Sequence, residues 1–128
     1  MGVAVADMRR SLEWYQNAFG MRLSTGPVDD PAQKVQVALL TAGDSGAGLE
    51  LITPLGEDSP ITRYLKADSS SYHICYEVPD LAEAVSWLKD RGCLLIGGPF
   101  PAAAFEGRPV AWLYLPNRHL VELLQTHV

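Results

Sequence analysis

Three residues in this chain are of types that hold a metal ion or move a proton from buried positions: Glu50, His73 and Glu122. His73 opens the run His73-Ile74-Cys75-Tyr76-Glu77-Val78. Glu50 sits in Gly48-Leu49-Glu50-Leu51-Ile52, and Glu122 in Leu120-Val121-Glu122-Leu123-Leu124. Both glutamate runs are apolar on either side of the carboxylate, the pattern of a strand buried on both faces. A carboxylate buried there is costly unless something partners it. One cation shared with His73 would satisfy all three residues. An imidazole nitrogen with two carboxylates suits divalent Co, Ni, Mn, Fe or Zn. The chemistry expected of such a site is Lewis-acid stabilisation of an enolate as the adjacent carbon loses a proton. Glu50 and Glu122 are then also the candidate catalytic residues, since a positioned carboxylate contributes about 10²–10⁴-fold as general base.

What must position these residues is an internal repeat. Val5-Ala6-Asp7-Met8 matches Val78-Pro79-Asp80-Leu81, and Trp14 matches Trp87, at a spacing of 73. Past the following helix the spacing is 72, so Gly20 falls on Gly92, Leu23 on Leu95 and Glu50 on Glu122. A repeat of this period is two copies of one supersecondary unit that bury their apolar faces by packing. The first-copy counterpart of His73 would fall one place before Met1, so the fourth corner outlined by the repeat has no residue in this sequence.

Each copy reads as βαβββ. The first opens with an apolar strand, Met1 to Ala6, and Asp7 is placed to cap a helix. Met8, Leu12, Tyr15 and Phe19 recur at helical spacing, and Gly20 closes the helix. Strands are expected around Met21 to Ser24, Lys34 to Ala42 and Gly48 to Thr53, separated by Gly26-Pro27, Asp30-Pro31 and Gly43-Asp44-Ser45-Gly46. A linker, 54–71, carries Ser59-Pro60 as a helix start with Ile61, Tyr64 and Leu65 facing inward, then a turn at Asp68-Ser69-Ser70-Ser71. The second copy, 72–128, repeats the order: strand Tyr72 to Val78, cap Asp80, a helix carrying Leu81, Val85 and Leu88 that stops at Gly92, and strands near Cys93 to Ile96, Pro109 to Leu115 and Leu120 to Gln125. Alternation sets Ile74, Tyr76 and Val78 under the helix and His73, Cys75 and Glu77 on the opposite face. The expected architecture is a single α+β domain over 1–128, with repeat one about 1–53. Its two βαβββ repeats form a curved, cup-like mixed sheet of eight strands with the helices outside.

Other chemistry-bearing residues read as structural. His119 and His127 are expected at the surface, and Trp14 and Trp87 in the core. Cys75 is expected to pack as a small hydrophobe, having no cationic neighbour in its strand to lower its pKa. Gly97-Gly98-Pro99 reads as a turn rather than a phosphate loop, since no lysine follows. A net charge of −5 argues against nucleic acid, which selects basic surfaces. No apolar run approaches the roughly 20 residues of a membrane span. Two cysteines give no disulfide framework, so a cytoplasmic protein is expected by default.

With these residues in view, the chain resembles the vicinal oxygen chelate superfamily of glyoxalases, bleomycin-resistance proteins and extradiol dioxygenases, over essentially its whole length. Within it, the chain looks most like the methylmalonyl-CoA epimerases. Leu49-Glu50-Leu51-Ile52-Thr53-Pro54-Leu55-Gly56-Glu57-Asp58-Ser59-Pro60-Ile61 is similar to that family's strand and following turn. His73-Ile74-Cys75-Tyr76-Glu77-Val78 and Val121-Glu122-Leu123 are similar to its ligand strands. The resemblance implies that His73 and Glu122 are metal ligands and that Glu50 takes a place where the family has Gln or Glu. It also implies an acyl-CoA substrate. Three features depart from the family pattern: the first-copy histidine is absent, Leu115 to Glu122 is short, and Val37 stands where some epimerases carry a second catalytic carboxylate.

Two functions are therefore open. One is a metal-dependent isomerase or lyase, epimerase-like, in which Glu50 and Glu122 face one cavity from opposite sides of a carbon. The other is a metal-free protein of the same fold that sequesters a small molecule among Trp112, Tyr114, Phe100 and Phe105. A homodimer is expected, because a short first strand leaves sheet edge to be covered.

Overall fold

The computed structural model describes residues 1–43, 48–66, 71–117 and 119–126. The turns expected across Asp44 to Gly46 and Asp68 to Ser70, and His127, lie outside the described residues. The chain divides into two compact units, Met1–Tyr72 and His73–Val128.

The first unit runs β1 (Gly2–Ala4), α1 (Met8–Phe19), β2 (Arg22–Asp30), β3 (Val35–Thr41), β4 (Gly48–Pro54) and α2 (Pro60–Lys66). Its strands lie in the order β2-β3-β4-β1, with β1 parallel to β4 and the other neighbours antiparallel. The Asp7 carboxylate accepts from the Arg10 N–H at 3.0 Å, and Gly20 ends the helix at φ 63°. Alternation along the strands sorts the core: Val3, Leu49, Leu51, Ala38 and Leu40 pack under Met8, Leu12 and Tyr15 of α1. Glu50, between Leu49 and Leu51, therefore points to the face away from α1. α2 is anchored by Ile61, fully buried, and its first turn by Ser59, whose Oγ accepts from the Ile61 N–H at 3.3 Å. Ahead of it, Lys34 and Asp58 form an ion pair, and the Leu55 N–H donates to the Lys34 carbonyl at 2.9 Å. The neighbouring ammonium, first by its hydrogen bond and then by its charge, holds the Asp58 carboxyl below its usual range.

The second unit repeats the order as β5 (Ser71–Val78), α3 (Leu81–Lys89), β6 (Leu94–Pro101), β7 (Pro109–Tyr114) and β8 (Leu120–Gln125), with a short 3-10 turn at Ala103–Phe105. The strand order is β5-β8-β7-β6, with β5 parallel to β8. Asp80 caps α3 by accepting from the Glu83 N–H at 3.0 Å, as Asp7 caps α1. Ala111, Leu113, Val121 and Leu123 pack under Leu81, Val85 and Leu88. The βαβββ order expected for each copy is thus present in both.

Several local expectations are corrected. Trp14 and Trp87 are not core: they are 55% and 60% exposed. Each lies on the outer side of its helix, where Trp14 meets Tyr15 and Phe19 edge-on and the Arg91 guanidinium lies 3.2 Å over Trp87. Phe19, the last residue of α1, is exposed as well. Tyr76 is exposed too, at 53%, although it shares a face with Val78, which packs in the α3 cluster. α3 stops at Lys89 with Asp90 as its cap, and Gly92 serves the turn that follows. His119, just ahead of β8, is partly exposed, in keeping with its reading as a surface residue.

The Gly-Pro pairs differ most from their reading. Gly26-Pro27 and Gly97-Gly98-Pro99 do not end strands; they lie inside β2 and β6. Both Gly-Pro bonds are cis, and both mark breaks in register. Proline is tolerated there because β2 and β6 are the outer strands of their units' sheets. Gly26 and Gly98 have φ +86° and +89°, and a Cβ on either would stand 2.5 Å from a carbonyl oxygen, of Val37 or Val110. Only glycine fits such a bulge.

Candidate functional site

The strand pairing builds the site from the backbone upward. In the second unit Cys75 lies opposite Glu122, and Glu122 opposite Trp112. Val121 and Leu123 are committed to the α3 side, so Glu122 projects from the other face. His73 and Cys75 share that face, as the alternation along β5 predicts. The structure brings His73 and Glu122 together: Nε2 lies 3.3 Å from Oε1, with the residues only 2% and 3% exposed. The His73 ring also packs against Trp112, centroids 4.6 Å apart and planes at 80°.

The other polar residue of this row, Glu77, is used differently. Its carboxylate accepts from Arg108 Nη2 at 3.4 Å, while Arg108 Nε donates to the Gln125 carbonyl at 2.9 Å. Cys75 packs with Ala102, Val110, Leu124, Phe100 and Phe105 and is not disulfide-bonded, in keeping with its reading as a small hydrophobe.

Glu50 occupies the matching place in the first unit. It is 8% exposed, lies opposite Gly2 on one side and Leu39 on the other, and points away from α1. The two registers superpose: Gly2 opposite Glu50 corresponds to Cys75 opposite Glu122. Two residues before Cys75 stands His73, so the corresponding place in β1 is one residue ahead of Met1. Val37, the position without a carboxylate, is buried on β3.

An imidazole nitrogen beside a buried carboxylate is a donor set that fits a divalent transition ion. The sequence carries no local mark of the Trp112–His73 contact, whereas Gly26-Pro27 and Gly98-Pro99 stand 72 apart, the period of the second part of the repeat, and so signal the paired bulges.

Comparison with known proteins bears on the whole chain. The sequence pattern of the glyoxalase/bleomycin resistance protein/dioxygenase superfamily matches residues 1–112, and the chain belongs to that superfamily. It is 35% identical to an ethylmalonyl-CoA/methylmalonyl-CoA epimerase of Cereibacter sphaeroides, over 98% of this chain and 94% of that protein. It is 32% identical to a mitochondrial methylmalonyl-CoA epimerase of Dictyostelium discoideum, over 96% and 74%. Among solved structures it is similar to methylmalonyl-CoA epimerase from Mycobacterium tuberculosis, with a TM-score of 0.86, 26% identity, and coverage of 99% of this chain and 85% of that one. The chain has the vicinal oxygen chelate fold of these epimerases. Among the described residues, no helix is long and apolar enough to cross a membrane.

Proposed function

We propose that this chain is a metal-dependent acyl-CoA epimerase of the methylmalonyl-CoA type, with His73, Glu50 and Glu122 as the residues that hold a divalent Co, Ni, Mn, Fe or Zn ion. The observation that carries the reading is the buried His73–Glu122 pair, whose carboxylate has a repeat-matched counterpart in Glu50 on the corresponding face of the first unit. The names of the relatives support the acyl-CoA substrate. When bound, such an ion supplies Lewis-acid stabilisation of negative charge on a substrate oxygen. The chain's own residues do the rest. Glu50 and Glu122 are assigned the proton: the carboxylate of one takes it from the carbon next to the thioester, and the other returns it to the opposite side. The C–H bond breaks and re-forms with inverted configuration, so no oxidant or co-reactant is needed. His73 serves as a fixed neutral donor. The buried surroundings keep water from competing for the carboxylates.

A homodimer in the cytoplasm is part of the same proposal, the compartment supported by two free cysteines. The metal-free binding reading draws on one observation, the aromatic residues Phe100, Phe105 and Trp112 gathered on the His73 face.

The test is hydrogen exchange. Protein supplemented with Co²⁺ and incubated with methylmalonyl-CoA in D₂O should incorporate deuterium at the carbon between the two carbonyls. Glu122→Gln and Glu50→Gln should each slow it by about 10²–10⁴-fold, the range for loss of a positioned acid or base. No exchange above background in the metal-supplemented protein, with tight binding of an aromatic ligand instead, would hand the argument to the binding reading.

A further inference from the structure

We infer that Trp112 is the positioning residue for His73: its indole fixes the orientation of the imidazole so that Nε2 stays directed at Glu122. The inference deepens the function proposed above and rests on it for its metal arm alone.

Four observations carry it. The two rings are in near-perpendicular contact, centroids 4.6 Å apart and planes at 80°. This is the arrangement favoured by aromatic quadrupoles, worth about 0.5–1.5 kcal/mol beyond burial. Both residues are nearly inaccessible, at 2% and 9%, so neither ring can swing into solvent. Trp112 is also the cross-strand neighbour of Glu122, so one indole borders both members of the pair. On its other side the cross-strand neighbour of Trp112 is Gly97, where an added Cβ would come 3.3 Å from the Phe100 ring and 3.9 Å, an ordinary contact, from the Trp112 ring.

The repeat supplies a natural alternative to the indole. In the first unit the residue opposite Glu50 is Leu39, in the place of Trp112. An imidazole on a strand turns about two side-chain bonds, and contact on its ring faces and edges restricts that freedom. Groups that orient a metal-ligating histidine typically change affinity by about 10–100-fold when removed.

The test uses Trp112→Leu, the repeat's own alternative, and Trp112→Phe, which keeps a ring. With histidine nitrogens labelled, only three histidines contribute signals. In metal-free protein His73 should give one sharp set of ring resonances in the parent and in Trp112→Phe. Trp112→Leu should give broadened or doubled signals. Calorimetry with Co²⁺ should show a loss of about 10–100-fold for Trp112→Leu and less than about 3-fold for Trp112→Phe. Leu113→Ala, on the α3 face, controls for stability: it should lower the melting temperature at least as much while leaving Co²⁺ affinity and the His73 signals unchanged. A single sharp His73 set in folded Trp112→Leu would overturn the inference, as would Co²⁺ affinity within 2-fold of the parent. Should Trp112→Leu fail to fold, Trp112→Phe decides: tenfold loss of affinity with an intact ring would refute positioning by an aromatic. A parent that binds no Co²⁺ would sink the proposed function, and the metal-free resonances would still decide the role of Trp112.

Discussion

Replacing Gly98 by alanine tests the bulge that sets the edge of the second unit. Gly98 has φ +89°, and a Cβ there would sit 2.5 Å from the Val110 carbonyl oxygen and 2.9 Å from Ala111 Cα. Gly107, with φ +79°, has nothing within 4 Å of the same added atom. The two glycines therefore share a backbone penalty and differ in the clash. Placing an L side chain at such a φ costs about 1–2 kcal/mol. Moving packed backbone to relieve the contact adds roughly 1–3 kcal/mol, as overpacking does elsewhere. Gly107→Ala should then cost about 1–2 kcal/mol, and Gly98→Ala about 2–5 kcal/mol. For a chain of this length each kcal/mol is worth about 4 °C, so melting temperatures should fall by about 4–8 °C and 8–20 °C respectively. Urea denaturation followed by circular dichroism measures both. Tryptophan emission adds a local readout, because Gly97, beside the bulge, pairs with Trp112. Gly26→Ala should match Gly98→Ala, since its Cβ meets the Val37 oxygen at the same 2.5 Å. Equal losses for Gly98→Ala and Gly107→Ala would refute the reasoning, for then the close approach of β7 carries no cost.

Three further outcomes follow from other parts of the molecule. Asp7→Ala and Asp80→Ala each remove a carboxylate that caps a helix, and each should cost about 0.5–2 kcal/mol in urea denaturation. Asp58 is held below its usual range by Lys34, so the stability it adds is present above the unfolded-state value near about 3.9 and is lost as pH falls through the lower folded value. The melting-temperature difference between parent and Asp58→Asn should therefore close as pH drops from 7 to below about 3; a gap that widened on acidification would contradict it. A histidine placed directly ahead of Met1 would share a face with Gly2, opposite Glu50, and should raise Co²⁺ affinity by on the order of tenfold, about 1.4 kcal/mol, in calorimetry. Equal affinity with and without it would remove the fourth corner from the repeat argument.

What the sequence determined by itself is whatever follows from periodicity along one chain. The 73- and 72-residue spacings paired Glu50 with Glu122 and called for two βαβββ units, and strand alternation assigned His73 and Cys75 to one face. These readings depend on covalent order, which a sequence records completely. Tertiary structure decided whatever depends on a neighbour far away in the chain. Trp14 and Trp87 looked like core because their repeat positions matched, yet the helices turn them to solvent; only packing against the sheet defines which side of a helix is inside. Gly26-Pro27 and Gly98-Pro99 looked like strand ends because the pair is usually a breaker, whereas an edge strand can carry a bulge through them. Trp112 and His73 are 39 positions apart, and no local pattern marks their rings as partners. Their contact arises because β8 lies between β5 and β7 and directs the alternating side chains of all three strands to one side.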